Sequence, residues 1–362
     1  MASRGRPVAR SGKAIATALS HSRSREYDPR GFVRWATFIV AIAAALVGGA
    51  GVDAARDRSA PAVAPQVAVF YYAWYGTPRL DGAWLHWSQG HNQPPQALGS
   101  TYYPARGPYS SADRALVRAQ MREIADAGID TVVVSWWGPG SVEDKRLRPV
   151  ARAARSAGLQ VALHVEPWDG RTPSAVVDAL RGMKGLGIRD VYVYDSTREA
   201  DDAWRVSLAR LGGQMRVFAH TNLAGKAAKG GFQGLYTYDV LVYDGRSFRR
   251  MCAAAHQLKL ACAPSVGPGF DAFRATGDPR LRGRDDGRWY DHMWAAAVRA
   301  RPDVVTITSY NEWHEGTQIE PARANAGPYA TYDGAWGLTG ASAERAYLDR
   351  TAYWVKRLRD AA

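Results

Sequence analysis

Cysteine occurs only twice in the 362 residues, at Cys252 and Cys262, which excludes a scaffold built on disulfides and a zinc site assembled from thiolates. The two fall on a predicted helix and on the strand after it, so a pair of buried small hydrophobes and a single disulfide both remain open. Lysine is scarce as well, with seven of the 47 basic residues. The net charge of +13 is not a phosphate-binding stripe either, because +6 of it sits in residues 1–34 and the rest is spread thinly. Nucleic acid is therefore not an expected partner. No glycine-rich phosphate loop follows the first strand, where Tyr75-Gly76-Thr77-Pro78 forms an aromatic turn. No Gly-x-Ser-x-Gly elbow is present, and Ser265-Val266-Gly267-Pro268-Gly269 is too constrained by proline to replace one. What the chain has in quantity is aromatic surface: 13 Trp, 18 Tyr and 8 Phe. Aromatic faces suit the apolar C–H side of a pyranose.

The N-terminus divides by charge. A basic tail occupies residues 1–34, an uncharged run fills 35–52, and a linker containing Pro61 and Pro65 covers 53–66. The apolar run has a length between that of a secretory signal and that of a spanning helix, so a signal peptide and an anchor are both compatible with it. Basic residues before the run place the remainder, 67–362, outside the cytoplasm in either case. The membrane is expected to matter only through that segment, and the domain is expected to be a monomer.

From residue 67 onward, short β-rich runs alternate with amphipathic stretches. Strands are predicted at 67–74, 131–136, 160–165, 191–194, 215–219, 235–238, 258–263 and 304–308. Helices are predicted at 112–127, 143–157, 174–186, 198–211, 247–258, 288–301 and 341–360, punctuated by residues such as Asp130, Gly158 and Gly187. This rhythm predicts an α/β fold, a single (β/α)8 TIM barrel, with a doubly wound sheet as the alternative. In such a barrel chemistry sits where the strands run out. Those ends are rich in aromatics and carboxylates: Tyr72 and Trp74, Trp137, His164 and Glu166, Tyr194, Tyr238, and Asn311 through Gln318.

Glu312 and Glu315 are the sharpest candidates. Three residues apart beyond an apolar strand, they would share one side of a helical turn, and differing surroundings would divide acid and base roles between them. A helix N-terminus that merely favours glutamate would show the same spacing. His164 with Glu166, and His314, raise a metal site, but no paired histidines at helical spacing support it; neither metal nor organic cofactor is expected.

The decapeptide Asn311-Glu312-Trp313-His314-Glu315-Gly316-Thr317-Gln318-Ile319-Glu320 resembles the signature of glycoside hydrolase family 99. Residues 70–76, 98–104, 109–111, 164–167, 192–196, 236–238 and 264–269 are similar to that family in the same order, so the resemblance covers about 67–322. It implies a (β/α)8 fold and retaining, endo-acting cleavage within an α-mannoside chain, at an α-1,2 linkage, without metal or organic cofactor. It implies that Glu312 is the base toward the mannose 2-hydroxyl, giving a 1,2-anhydro sugar, and that Glu315 is the general acid. Trp137 would stack on a sugar two subsites from the cut, while Tyr72, Glu166, Tyr238, Arg274 and Asn311 would line the subsite at the cut. Residues 88–93 are short where many relatives carry a longer acidic insert, which touches substrate identity before reaction type. A barrel of this type that binds polysaccharide without hydrolysing it is the alternative reading.

Overall fold

The structure is a computed structural model that describes residues 64–362. The basic tail, the apolar run at 35–52 and most of the linker lie outside the described residues. No helix among the described residues is long and apolar enough to cross a membrane.

The strands are β1 Gln66–Tyr71, β2 Thr131–Trp136, β3 Gln160–Val165, β4 Asp190–Val193, β5 Arg216–His220, β6 Gly234–Tyr236, β7 Ala261–Ala263, β8 Ser265–Val266, β9 Phe270–Asp271, β10 Leu281–Arg282 and β11 Val304–Ile307. The helices are α1 Pro78–Asp81, α2 Arg114–Asp126, α3 Val142–Ser156, α4 Pro173–Gly182, α5 Asp201–Ala209, α6 Ala224–Lys229, α7 Phe248–Gln257, α8 Phe273–Thr276, α9 Arg288–Ala300 and α10 Ala346–Asp360. Strands such as β2 are buried along their whole length, as expected of parallel strands covered on both faces. Helix starts are fixed by side chains that accept otherwise orphaned amides: Asp113 from Ala115 and Leu116, Ser141 from Asp144, and Thr172 from Ala175.

The parallel sheet runs β7-β6-β5-β4-β3-β2-β1-β11-β8. Its two ends are one stretch of chain: β7 pairs with β6, β8 pairs with β11, and only Pro264 separates them. Proline lacks the amide that a continuous ladder would need, and the strand bends there to close the ring. Counted this way the ring has eight members, each overlapping one of the predicted runs, although the closing piece β8 lies beyond the run predicted to end at 263. That makes it a (β/α)8 barrel and rules out the open doubly wound sheet.

The structure also departs from the sequence reading. Helix α6 was not expected, because its Ala-Gly-Lys composition shows no apolar period. The predicted helix at 174–186 ends as α-helix at Gly182, followed by a 3-10 turn over Lys184–Leu186. The strand predicted from 258 starts only at Ala261, because Leu258 caps α7 and Lys259 is left-handed (φ 57°).

Two features lock the barrel. Cys252 on α7 is bonded to Cys262 on β7, with Cα atoms 5.1 Å apart. The C-terminal helix is held to α9 by Asp291, which accepts from Arg350 through Nε and Nη2, both at 2.7 Å, from Trp354 Nε1 at 2.6 Å and from Trp336 Nε1 at 2.9 Å. At the seam between β1 and β11, strand pairing stops at Val69 and Ile307. The Asn311 side chain takes over: its Oδ1 accepts from Tyr72 N at 2.7 Å and its Nδ2 donates to Tyr72 O at 2.9 Å.

Closing a loop of this size removes about 2–3 kcal/mol of unfolded-state entropy, so Cys252→Ala with Cys262→Ala is expected to lower unfolding free energy by that amount in a urea titration. Asn311→Ala would leave both Tyr72 main-chain groups buried and unpaired, at a cost of about 2–4 kcal/mol by the same titration.

Candidate active site

A cleft of about 500 Å³ opens at the C-terminal ends of the strands. Tyr72 and Trp74 reach it from the end of β1, Trp137 from β2, Glu166 and Pro167 from β3, Tyr194 from β4, and Tyr238 from β6. Glu312, His314 and Glu315 come from the segment after β11, Glu143 from the first turn of α3, Thr276 from α8, and His86 and Gln89 from the loops after α1.

Glu312 and Glu315 thus share one cleft, though not on a helix. Residues 313–316 form a turn, in which Gly316 N reaches Trp313 O at 3.4 Å. Gly316 has φ 63°, and a Cβ there would meet the Asp271 carbonyl oxygen at 3.0 Å. With no helix following, a helix dipole does not account for the two glutamates. Arg284, buried among Tyr102, Tyr332 and Tyr347, ties the turn down by donating from Nη2 to the Gly316 and Gln318 carbonyls, both at 2.8 Å. On the other flank Glu320 accepts from Tyr109 OH at 2.7 Å, Gln120 Nε2 at 2.8 Å and Trp313 Nε1 at 2.9 Å.

The electrostatics are one-sided. Four carboxyl groups, Glu143, Glu166, Glu312 and Glu315, line the cleft, and none of the described lining residues is Lys or Arg. Burial and the Asp239 and Glu166 charges push Glu315 up to about 8. Burial, with Glu315 and Glu166 opposite, raises Glu312 well above the carboxylate range. Burial also pushes His86 down to about 4 and His314 to about 3, so both rings are neutral near pH 7. A cleft lined by carboxyl groups without a cation gives an anionic substrate no partner and offers hydrogen-bonding groups to a neutral molecule rich in hydroxyls.

Tyr72 and Tyr238 join hydroxyl to hydroxyl across the floor. Glu166 accepts from Ser135 Oγ at 3.0 Å and lies 2.8 Å from His164 Nδ1. His164 meets Tyr236 OH through Nε2 at 2.9 Å, and Trp137 Nε1 donates to Ser135 Oγ at 3.1 Å. Trp137 itself is 37% exposed and lies 6.0 Å from Trp74, ring to ring, so it presents a face rather than filling core.

The structure brings Glu312, Glu315, Tyr72, Trp137, Glu166 and Tyr238 together. It does not place Asn311 and Arg274 with them. The Asn311 amide is fully buried against Tyr72 and Tyr109, while Arg274 donates from Nε to Leu98 O at 3.0 Å and stacks on Tyr329 at 4.4 Å. Sequence reasoning missed His86, Gln89, Glu143 and Thr276. Glu143 sits at a helix start, Thr276 at the end of a short helix and His86 and Gln89 in loops, where no periodicity marks an inward face. Among the described residues no three His, Cys, Asp or Glu side chains are grouped to hold a metal ion, and His164 is engaged by Glu166 and Tyr236.

Over residues 62–360 the sequence matches glycosyl hydrolase family 99. It is 33% identical over 313 residues to a glycoprotein endo-alpha-1,2-mannosidase-like protein of Danio rerio, spanning 70% of this chain and 70% of that protein. It is 28% identical over 311 residues to a glycoprotein endo-alpha-1,2-mannosidase of Mus musculus, spanning 70% of this chain and 67% of that one. The fold is similar to that of the family 99 endo-alpha-mannosidase from Bacteroides thetaiotaomicron, with TM-score 0.74 and 27% identity over 82% of this chain and 98% of that one. Carboxyl pair, barrel and sequence match agree: the chain belongs to glycosyl hydrolase family 99 and is a glycoside hydrolase.

Proposed function

We propose that the chain is an endo-acting α-mannosidase that cleaves internal α-1,2-mannosidic linkages with retention, through a 1,2-anhydro sugar. The observation that carries this reading is the pair of a buried Glu312 and a half-buried Glu315 in a cationless cleft with Trp137 as an open aromatic face. Relatives bearing the endo-alpha-1,2-mannosidase name support the linkage.

The chemistry follows from where protons can reside. Glu312 as carboxylate takes the proton of the mannose 2-hydroxyl. O2 bonds to C1 as the glycosidic bond breaks, and Glu315 gives its proton to the departing oxygen. Water then bonds to C1 as the C1–O2 bond opens, with Glu315 taking a water proton and Glu312 returning its own to O2. Two inversions leave the α configuration. An axial O2 lies anti to the α leaving group and can attack from behind, whereas the O2 of an α-glucoside is on the same side and cannot. Trp137 and Tyr72, Glu166 and Tyr238 would hold the sugars so that O2 meets Glu312.

The disulfide between Cys252 and Cys262 suits an oxidising compartment. It fits export of the 67–362 domain by the basic tail and the apolar segment at 35–52, as signal or as anchor. The substrate would be an α-mannan or a mannose-containing glycan.

Each of Glu312→Gln and Glu315→Gln is expected to cut kcat/KM on an α-1,2-linked mannoside by about a hundredfold to ten-thousandfold, with unchanged circular dichroism; wild-type rates in both would overturn the assignment. An activated aryl leaving group needs no proton, so it should restore much of the loss in E315Q and none in E312Q. Activity should fall on the alkaline side as Glu315 loses its proton near pH 8. It should fall on the acid side above the usual carboxylate range, because Glu312 must be ionised to act and its pKa is raised; a pH profile of kcat/KM checks both limbs.

A further inference from the structure

His314 lies two residues beyond Glu312 and is buried, 4% exposed. Its ring packs over that of His86, 5.4 Å between centroids and 21° between planes, with Trp74 at 5.4 Å and Tyr75 at 5.6 Å. Nε2 is 2.8 Å from the main-chain carbonyl oxygen of His86. A carbonyl oxygen only accepts, so Nε2 carries the hydrogen, and in a neutral ring Nδ1 is then a bare lone pair. That nitrogen stands 3.4 Å from Glu312 Oε1, a buried oxygen that no side chain or main-chain donor satisfies.

Two acceptors facing each other in a buried site repel when Glu312 is ionised and attract when a proton lies between them. We propose that His314 is a positioning residue that raises the proton affinity of Glu312, its tautomer fixed by the His86 carbonyl so that Nδ1 accepts a hydrogen bond from the protonated carboxyl alone. The inference rests on Glu312 being the base of the proposed reaction. When Glu312 takes the 2-hydroxyl proton its charge is neutralised, the repulsion between Oε1 and the Nδ1 lone pair is relieved, and Nδ1 can accept from the carboxyl once its O–H turns that way. When the anhydro ring opens the proton goes back to O2, so the pair ends each cycle as it began. His314 needs no net charge change to do this.

The titratable groups facing Glu312 are Glu166 from β3, Tyr72 and Tyr75 from the end of β1, Tyr238 from β6, and Glu315 and His314 on its own segment; His86 faces His314 from the loop after α1. Glu166 and Glu315 also raise the Glu312 carboxyl. The contribution of His314 is therefore measured as a difference that leaves both in place.

The full chain is compared with its His314→Gln variant, which keeps a donor for the His86 carbonyl and lacks Nδ1, and with His314→Phe, which keeps a ring and lacks both nitrogens. The measurements are the pH profile of kcat/KM on an α-1,2-linked mannoside and the carboxyl 13C titration of Glu312, assigned with E312Q. The acid limb and the Glu312 midpoint are expected to move together to lower pH by about one unit in both variants, with the alkaline limb in place. Unmoved acid limb and midpoint overturn the proposal. In the unaltered chain the 15N shifts of His314 must show a protonated Nε2 and a bare Nδ1. The opposite tautomer overturns the proposal even if neither variant folds. Full activity in E312Q would instead remove the reading of Glu312 as base, while the titration would still report whether His314 holds its proton.

Discussion

The pairing of the Asn311 side chain with the Tyr72 main chain is the constraint on which the rest of the catalytic face depends. β1 and β11 separate after Val69 and Ile307, and the chain that leaves β11 is buried for nearly all of 304–322. A buried irregular segment is tolerated only if its main-chain groups find partners. Asn311 supplies them by presenting one acceptor and one donor in the pattern of a neighbouring strand. Around it the same economy repeats: Tyr75 OH donates to Asn311 O and accepts from Trp313 N, both at 3.0 Å, Ser309 Oγ accepts from Glu312 N at 2.7 Å, and Tyr310 N reaches Phe70 O at 2.8 Å. Glu312 and Glu315 project from a backbone fixed at almost every residue. Preorganisation of this kind is what proton transfer at a set distance requires.

The second determinant is the absence of a compensating cation among the cleft-lining residues. Arg284 ties down the turn that carries Glu315, yet its guanidinium is enclosed by three tyrosines and points at carbonyls. Arg280 is held by Asp278. Carboxyl groups in the cleft therefore meet burial and one another with little relief, and both effects favour the protonated form. An acid that holds its proton at neutral pH needs no special donor here; it needs only to be buried beside other acids. The second glutamate must be ionised to act as a base, and the neutral His314, with its lone pair toward Oε1, works in the same direction as burial: it strengthens the hold of Glu312 on the proton it takes.

The barrel was legible because its strands are continuous apolar runs, and parallel strands covered on both faces leave that pattern whatever the loops do. The glutamates were legible from their position beyond the last such run, although their spacing suggested a helical turn where Gly316 instead closes a tight one. Legibility fails where a side chain's target is main chain. Nothing in the letters around Asn311 or Arg274 distinguishes an amide or guanidinium that meets a sugar from one that meets Tyr72 or Leu98, because both uses demand the same donors. His86 and Glu143 were invisible for another reason: they reach the cleft from a loop and a helix start, where no period marks an inward face. The disulfide stayed open in the sequence because a helix followed by a strand can bring two cysteines together or bury them apart.

The cleft's aromatic face is hydrogen-bonded, through one serine, to a carboxyl on its floor. Trp137 donates to Ser135 and Ser135 to Glu166; His164 stands against Glu166, with Nδ1 at 2.8 Å, and meets Tyr236 through Nε2; Tyr72 and Tyr238 close the floor beside it. The indole can only donate, so Ser135 accepts from it and keeps its one hydrogen for Glu166. A sugar resting on Trp137 thus bears on a ring whose tilt is set by the same serine that holds Glu166. Binding remote from the cut and the placement of an acceptor near it are joined through three side chains, so contacts made by a distant sugar can be realised at the reacting one.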